Sequence, residues 1–368
     1  MRLIYALSLL ISISTFAQTI PKILERVSQK NDLMPATGKF KQQKVENQQR
    51  RTIVFLTAVE KKALGINQDE VAFANFRHNN NFFIASIDGL KSSTDGRPLS
   101  SSNLIEKIVL SKKHWAGKSR PETKELEVHA ELLFYFKSNS GVKLHFNQNS
   151  QIKLSQPQRL ATLVLSIEAI RSSSESTTPF FPAALGSNFA IGHRIVSLHE
   201  RNTQHRDDPD RTTSSYKLNL NDTKSKRKNF NSAEALLSAS LEKSHDLGRK
   251  EAYNMFNNNC TNNLFKIFDE NLNYNQSIGG KISYHLIKED IVSFVQEDLE
   301  KILTFIERMA VENQNMIDIK SFNKLKKYLQ SHVISQAEDI QLNDSTGNLL
   351  YQVPAFIDGH LEARGMIK

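Results

Sequence analysis

Cys260 is the only cysteine in 368 residues, and its neighbours suit chemistry better than packing. A lone cysteine is most often a small buried hydrophobe. Here Asn257, Asn258 and Asn259 precede it and Thr261 follows, which is polar company. From Thr261 onward Leu264, Phe265, Ile267 and Phe268 recur at helical spacing, so a helix is predicted to begin at or beside the cysteine. At a helix N-terminus the unpaired backbone N–H groups and the macrodipole favour a thiolate, the form that attacks carbonyl carbon. Residues 248–256 read as an earlier helix closed by the asparagines. The expected arrangement is helix, polar elbow, cysteine, helix.

A thiol nucleophile needs a base, and histidine is the usual one because its pKa lies near neutrality. Among eleven histidines, His129 differs in being fixed by a strand. Residues 128–136 (VHAELLFYF) alternate: Val128, Ala130, Leu132, Phe134 and Phe136 form an apolar face, with His129, Glu131, Leu133 and Tyr135 on the other. A rigid strand can hold an imidazole within reach of a thiolate on a neighbouring helix. The alternative is a histidine hydrogen-bonded on the polar face of a sheet. No histidine spacing matches a standard metal site, and no cofactor is expected.

The elements that must position these two residues give an α+β protein, an antiparallel sheet packed on helices. Ser138-Asn139-Ser140-Gly141 is predicted to turn strand 128–136 into a second strand, 142–146, as a hairpin packed against the helix that starts near Cys260. Upstream, 52–59, 71–76 and 82–87 read as strands, the last two joined by a turn at 78–81, and 92–102 reads as loop. Residues 160–171 fit both the strand and the helix period. The charged, serine-rich stretch 201–230 reads as a surface loop. Asn231, with Glu234 three residues on, is a capping-box arrangement heading a helix over 233–243. Residues 289–311 and 322–334 are predicted amphipathic helices.

The N-terminus has one arginine, an apolar run from Leu3 to Ile13, and small residues before Gln18, the three parts of a secretory signal peptide cleaved near Ala17. The run is short for a membrane span, and no later stretch is long and apolar enough to be one. The expectation is therefore a periplasmic or secreted protein with no integral membrane segment in the mature chain. An unpaired thiol in an oxidising compartment is a liability unless it is buried, paired between chains, or used. The formal net charge is +9 and the pI about 9.4, with one basic cluster at Lys224–Lys228. That charge permits contact with anionic surfaces such as phospholipid headgroups. There is no nucleic-acid-binding motif, and export argues against that partner.

Three pieces occur in an order that resembles the periplasmic domain family of the lipoprotein N-acyltransferase Lnb. They are His129-Ala130-Glu131-Leu132 on a strand, Leu165-Ser-Ile-Glu-Ala-Ile-Arg171, and Tyr253 leading to Asn259-Cys260-Thr261. They cover roughly residues 120–275. The resemblance implies a circularly permuted papain-like core, related to the NlpC-type thiol enzymes, with histidine before cysteine in the chain. It implies Cys260 as nucleophile and His129 as base. It also implies an acyl-thioester formed from a lipoprotein or lipid acyl donor at a membrane surface. The third member is unassigned: Glu131, His145 and a polar residue among Gln148, Asn149 and Ser150 are the candidates. The Cys260 N–H with the Asn259 side chain would form the oxyanion hole, and Tyr253 would support the site. On this reading the chain divides into a signal peptide (1–17), a polar lead-in (18–51), a papain-like catalytic domain (52–285, with the 201–230 loop) and a helical C-terminal extension (286–368). The full family continues into membrane-spanning helices, which this chain lacks after the signal. Amide or ester hydrolysis on cell-wall peptide, or a non-catalytic exported binding module, are the competing readings.

Overall fold

The alternating and β-branched stretches pair into one large sheet. A computed structural model of the protein describes residues 21–26, 51–114, 128–170, 189–204, 212–221, 223–247, 251–253, 259–274, 361 and 364–367. It shows a mixed α+β architecture in which a mostly antiparallel sheet dominates and helices are few. Two compact units are distinguished. The first comprises Met1–Ser111, Ala130–Pro209 and Ser214–Asn273, and the second Lys112–His129, Asp210–Thr213 and Tyr274–Lys368. The proposed signal peptide and the helices predicted over 289–311 and 322–334 lie outside the described residues. No described helix is long and apolar enough to cross a membrane.

In chain order, β1 (Val54–Phe55) leads into helix α1 (Ala58–Leu64). The strand expected over 52–59 is cut short because Thr57 and Glu60 close a capping box, which commits the next residues to helix. Then come β2 (Glu70–His78), β3 (Asn81–Ser92), β4 (Pro98–Ser101) and β5 (Ile105–His114). The β2–β3 turn falls where it was expected, with Asn79 and Asn80 at positive φ, a conformation asparagine tolerates. The stretch 92–102 is only partly loop, since β4 pairs with β3. Next are β6 (Val128–Phe136), β7 (Val142–Asn147), β8 (Ile152–Leu160), β9 (Thr162–Ile170) and β10 (Phe189–Val196). The chain continues through helix α2 (Leu198–Gln204), β11 (Thr212–Lys217), β12 (Thr223–Ser225) and helix α3 (Ser232–Asp246). It ends the described core with β13 (Ala252–Tyr253), helix α4 (Cys260–Asn271) and β14 (Leu272–Tyr274). The sheet order is β11-β5-β6-β9-β10-β2-β3-β7-β8, with β1, β4 and β13 attached at its sides.

The expected hairpin of 128–136 with 142–146 does not form. β6 pairs with β9 (Tyr135 opposite Thr162) and β7 with β8 (Val142 opposite Leu160), while β8 and β9 are separated by Ala161 alone. Both β6 and β7 therefore run antiparallel to one continuous β8–β9 stretch and follow each other in the same sense. Residues 137–141 bend the chain without reversing it: Phe136 N–H donates to Ala161 C=O at 2.9 Å, and Asp88 N–H to Gly141 C=O at 3.0 Å. Gly141 (φ 157°) stands so close that a Cβ would come within 2.5 Å of the Leu160 carbonyl oxygen. The reversal comes later, in the turn that ends at Gln151 (φ 58°). Because only one residue separates the ends of β8 and β9, the sheet of the first unit must curl until these strands meet.

The sheet has apolar cores on its surfaces. Ile23, Val54, Leu56, Leu64, Ile66, Ala72, Ala74, Ile84 and Phe146 form one cluster beneath α1. Leu133, Val164 and Val196 form another on β6, β9 and β10, joined by Leu198 of α2. β2 carries a bulge at Asn75 (φ 66°), fully buried and satisfied. Its amide donates to the Thr52 carbonyl at 2.9 Å, and its N–H donates to Gln148 Oε1 at 2.7 Å. α3 begins as expected, with the Asn231 side chain accepting the Glu234 N–H at 3.0 Å. Glu234 does not complete the capping box. Its carboxylate instead accepts the Leu104 N–H at 2.6 Å and the Ile105 N–H at 3.2 Å, tying α3 to the start of β5.

Two other expectations fail within the described residues. Residues 251–253 are not helical: β13 pairs with the start of β10, Tyr253 opposite Phe189. The stretch 201–230 is not simply surface loop, since it holds most of α2 together with β11 and β12. Arg201 is buried there because carboxylates inside the protein neutralise it.

Candidate functional site

α4 begins where its sequence predicts. Asn259 is extended (φ −109°, ψ −176°) and its side-chain oxygen accepts the Asn262 N–H at 2.9 Å, the N-cap geometry. The Asn263 side chain donates to the Asn259 carbonyl at 2.9 Å, tightening the first turn. Leu264, Phe265, Ile267 and Phe268 are fully buried, and the two phenylalanines meet edge-on at 5.6 Å. This apolar stripe seats α4 on β9 and α3. At the far end Lys226 Nζ donates to the Asp269 carbonyl at 2.6 Å, a cation on the negative pole of the helix.

Cys260 is the first residue of that helix and is 2 % exposed. Its Sγ lies 3.9 Å from Thr261 Oγ1. Tyr253, on β13, is its electrostatic neighbour. Burial holds the Tyr253 phenol well above its ordinary pKa, and the negative charge Cys260 can carry adds to the effect. The phenol therefore stays protonated and can only donate where a thiolate or oxyanion forms nearby. Cys260 and Asn259 thus meet at the start of α4, and Tyr253 lies within electrostatic reach of the thiol. The Asn259 side-chain oxygen is the acceptor of the cap, and its amide nitrogen is the donor it could offer an oxyanion.

The remaining candidates stand elsewhere. His129 is buried near the start of β6 and belongs to the second unit, whereas Cys260 belongs to the first. Strand alternation gives His129 the same face of β6 as Glu131. His145, on β7, has Ser86 of β3 as its hydrogen-bond partner at 2.8 Å. Burial pushes its pKa down to about 4, and Lys143 and Lys153 push in the same direction.

Glu131 is fully buried in an ionic cluster that sequence reasoning missed. It lies across the sheet from Ser166, which in turn faces Arg194. Ser166 Oγ is 3.1 Å from Glu131 Oε1 and 2.9 Å from Glu168 Oε1. Arg194 Nη1 reaches both oxygens of Glu168, at 2.8 and 2.7 Å. From α2, Arg201 pairs with Glu131 through Nε and with Glu168 at 3.2 Å. Two carboxylates and two guanidiniums balance in charge, which is how such groups survive burial. The signal was present in Ser166 and Glu168, two polar residues spaced to share one face of an apolar strand. Among the described residues no group of three His, Cys, Asp or Glu side chains is placed to hold a metal. Compared with protein-family models, curated proteins and solved structures, the chain matches none of them.

Proposed function

We propose that this chain is an exported thiol-dependent acyl-transfer enzyme of permuted papain-like type, similar to the Lnb periplasmic domain, with Cys260 as nucleophile. The observation that carries the reading is the placement of Cys260 as the first residue of α4, capped by Asn259, with the protonated phenol of Tyr253 within electrostatic reach. The helix N-terminus favours the thiolate, and the phenol is a fixed donor for negative charge developing on the substrate. His129 is assigned as the base. In the reaction, Cys260 gives its proton to the imidazole and Sγ bonds to the carbonyl carbon of a lipid or lipoprotein ester. The oxyanion collapses, the ester C–O bond breaks, and the departing alkoxide takes the proton from the imidazolium. The acyl-thioester then passes to an amine, or to water if the enzyme is a hydrolase. The acyl donor is met at a membrane surface in the periplasm or outside the cell.

A second reading is a non-catalytic exported binding module. It is favoured by the near-complete burial of Cys260 and by the strand alternation that gives His129 the face of Glu131. Intact-mass analysis after incubation with a short-chain lipid ester separates the two. The enzyme reading expects an acyl adduct that hydroxylamine removes, that Cys260→Ala lacks, and that forms far more slowly in His129→Ala. No adduct on wild type, with Cys260 also inert to iodoacetamide from about pH 6 to about pH 9, is the binding-module result.

A further inference from the structure

α2 is seated on the sheet largely by polar groups. Its Glu200 is fully buried and accepts from Arg77 Nε at 2.5 Å, from the Asn80 N–H at 2.6 Å and from Gln204 Nε2 at 2.8 Å. Just before the helix, Ser197 Oγ accepts the Glu200 N–H at 3.0 Å and lies 2.9 Å from His78 Nδ1 on β2. The Ser197 oxygen has a second lone pair besides the one that takes the Glu200 N–H, so it can accept from Nδ1–H as well as donate to a bare Nδ1, according to the tautomer of His78. The exposed ring of His199, on α2, stands 5.5 Å from the His78 ring, centroid to centroid.

We propose that His78 and His199 make the seating of α2 on β2 acid-sensitive, so that acidification loosens the helix covering the Glu131–Ser166–Glu168–Arg194 cluster. A second proton puts a positive charge on a ring that its surroundings partly desolvate. Two imidazolium rings at 5.5 Å also repel. Among the described residues the charged groups acting on His78 are His199 and Glu200 of α2, and the Phe83 ring of β3 stands 6.2 Å away. Glu200 attracts the extra proton, but its oxygens are already taken by Arg77, Asn80 and Gln204. Burial first, and His199 second, hold His78 below its ordinary pKa against the pull of Glu200. The loosened state therefore takes up the proton more readily than the seated one, and acid favours it.

The test is hydrogen exchange on the full chain at about pH 7.5 and about pH 5.5, expressed as protection factors so that intrinsic exchange chemistry cancels. Protection of the α2 amides is expected to fall on acidification, about tenfold for each pKa unit by which seating depresses His78. His78→Asn can bond Ser197 as donor or acceptor but cannot titrate, so its α2 protection should be flat with pH. His199→Asn should reduce the fall. Unchanged protection in the wild type, or the same fall in His78→Asn, overturns the proposal. If His78→Asn does not fold, proton NMR of wild-type His78 decides: a midpoint at or above 6.5 overturns the proposal, and one below it supports it.

Discussion

Acid should destabilise this protein through His145, and the size of the effect follows from where the ring sits. Ser86 Oγ donates to Glu70 Oε2 at 3.0 Å, so the one proton of that hydroxyl is spent. The contact between Ser86 and His145 Nε2 at 2.8 Å must then be donated by the imidazole, which fixes the neutral tautomer with its proton on Nε2. A second proton would sit on Nδ1 of a half-buried ring, with the Lys143 and Lys153 ammonium groups opposing it. The folded pKa is accordingly about 4, against 6.5 for a free imidazole. The difference of about 2.5 units, at 1.36 kcal/mol each, is about 3 kcal/mol. Solvent reaching the half-buried ring trims that toward about 2 kcal/mol. Because the folded pKa is the lower one, this stability is fully present above pH 6.5 and is lost as the pH falls toward about 4. Urea denaturation across that window should show wild type losing up to about 1.4 kcal/mol per pH unit more than His145→Gln, which keeps a partner for Ser86 but does not titrate. Parallel pH profiles for the two proteins would refute the argument, as would an NMR midpoint for His145 near that of a free imidazole.

Arg201→Met should cost about 3–5 kcal/mol in chemical denaturation, because it strips a buried cation from Glu131 while Arg194 still neutralises Glu168. Adding Glu131→Gln to that variant should restore part of the loss, and a purely additive double variant would show the two groups to be uncoupled. Gly96→Ala should destabilise by about 2–4 kcal/mol, since φ is 89° and the new Cβ would stand 2.2 Å from the Leu56 carbonyl oxygen. Gly365→Ala, at φ 63° with nothing within 4 Å, carries backbone strain alone and should cost about 1 kcal/mol. Equal losses at the two glycines in thermal melts would remove the clash argument.

What could be read in the sequence was local, and what could not was decided by partners far along the chain. Strand 128–136 was legible from its alternation, and the start of α4 from an asparagine ahead of a helical apolar stripe. β2 and β3 were legible because Asn79 and Asn80 can occupy the positive-φ turn between them. The turn-like residues Ser138–Gly141 misled because composition marks a change of direction without saying how large it is. Here Lys137 and Ser140 are bound to the Leu104 carbonyl, and Gly141 is pressed against Leu160, so the chain bends and goes on. Residues 252–253 pair with β10, a contact invisible to helical periodicity. Arg201 lay in a stretch whose charge suggested solvent, and the carboxylates that bury it are 70 and 33 residues away.

The alternation of β9 separates two kinds of chemistry. Val164, Ser166 and Glu168 point to one face, where α2 covers them through Leu198 and Arg201. Leu163, Leu165 and Ile167 point to the other and are fully buried. α4 also packs on β9, and its stripe of Leu264, Phe265, Ile267 and Phe268 is fully buried too. An apolar stripe of that kind can be received only by the apolar face, because burying it against Glu168 would displace the partners that carboxylate requires. The ionic cluster and the apolar stripe of α4 are thereby set on opposite faces of one strand. Glu131, held by Arg201 and Ser166 on the α2 side, is a group that fixes strands and helix.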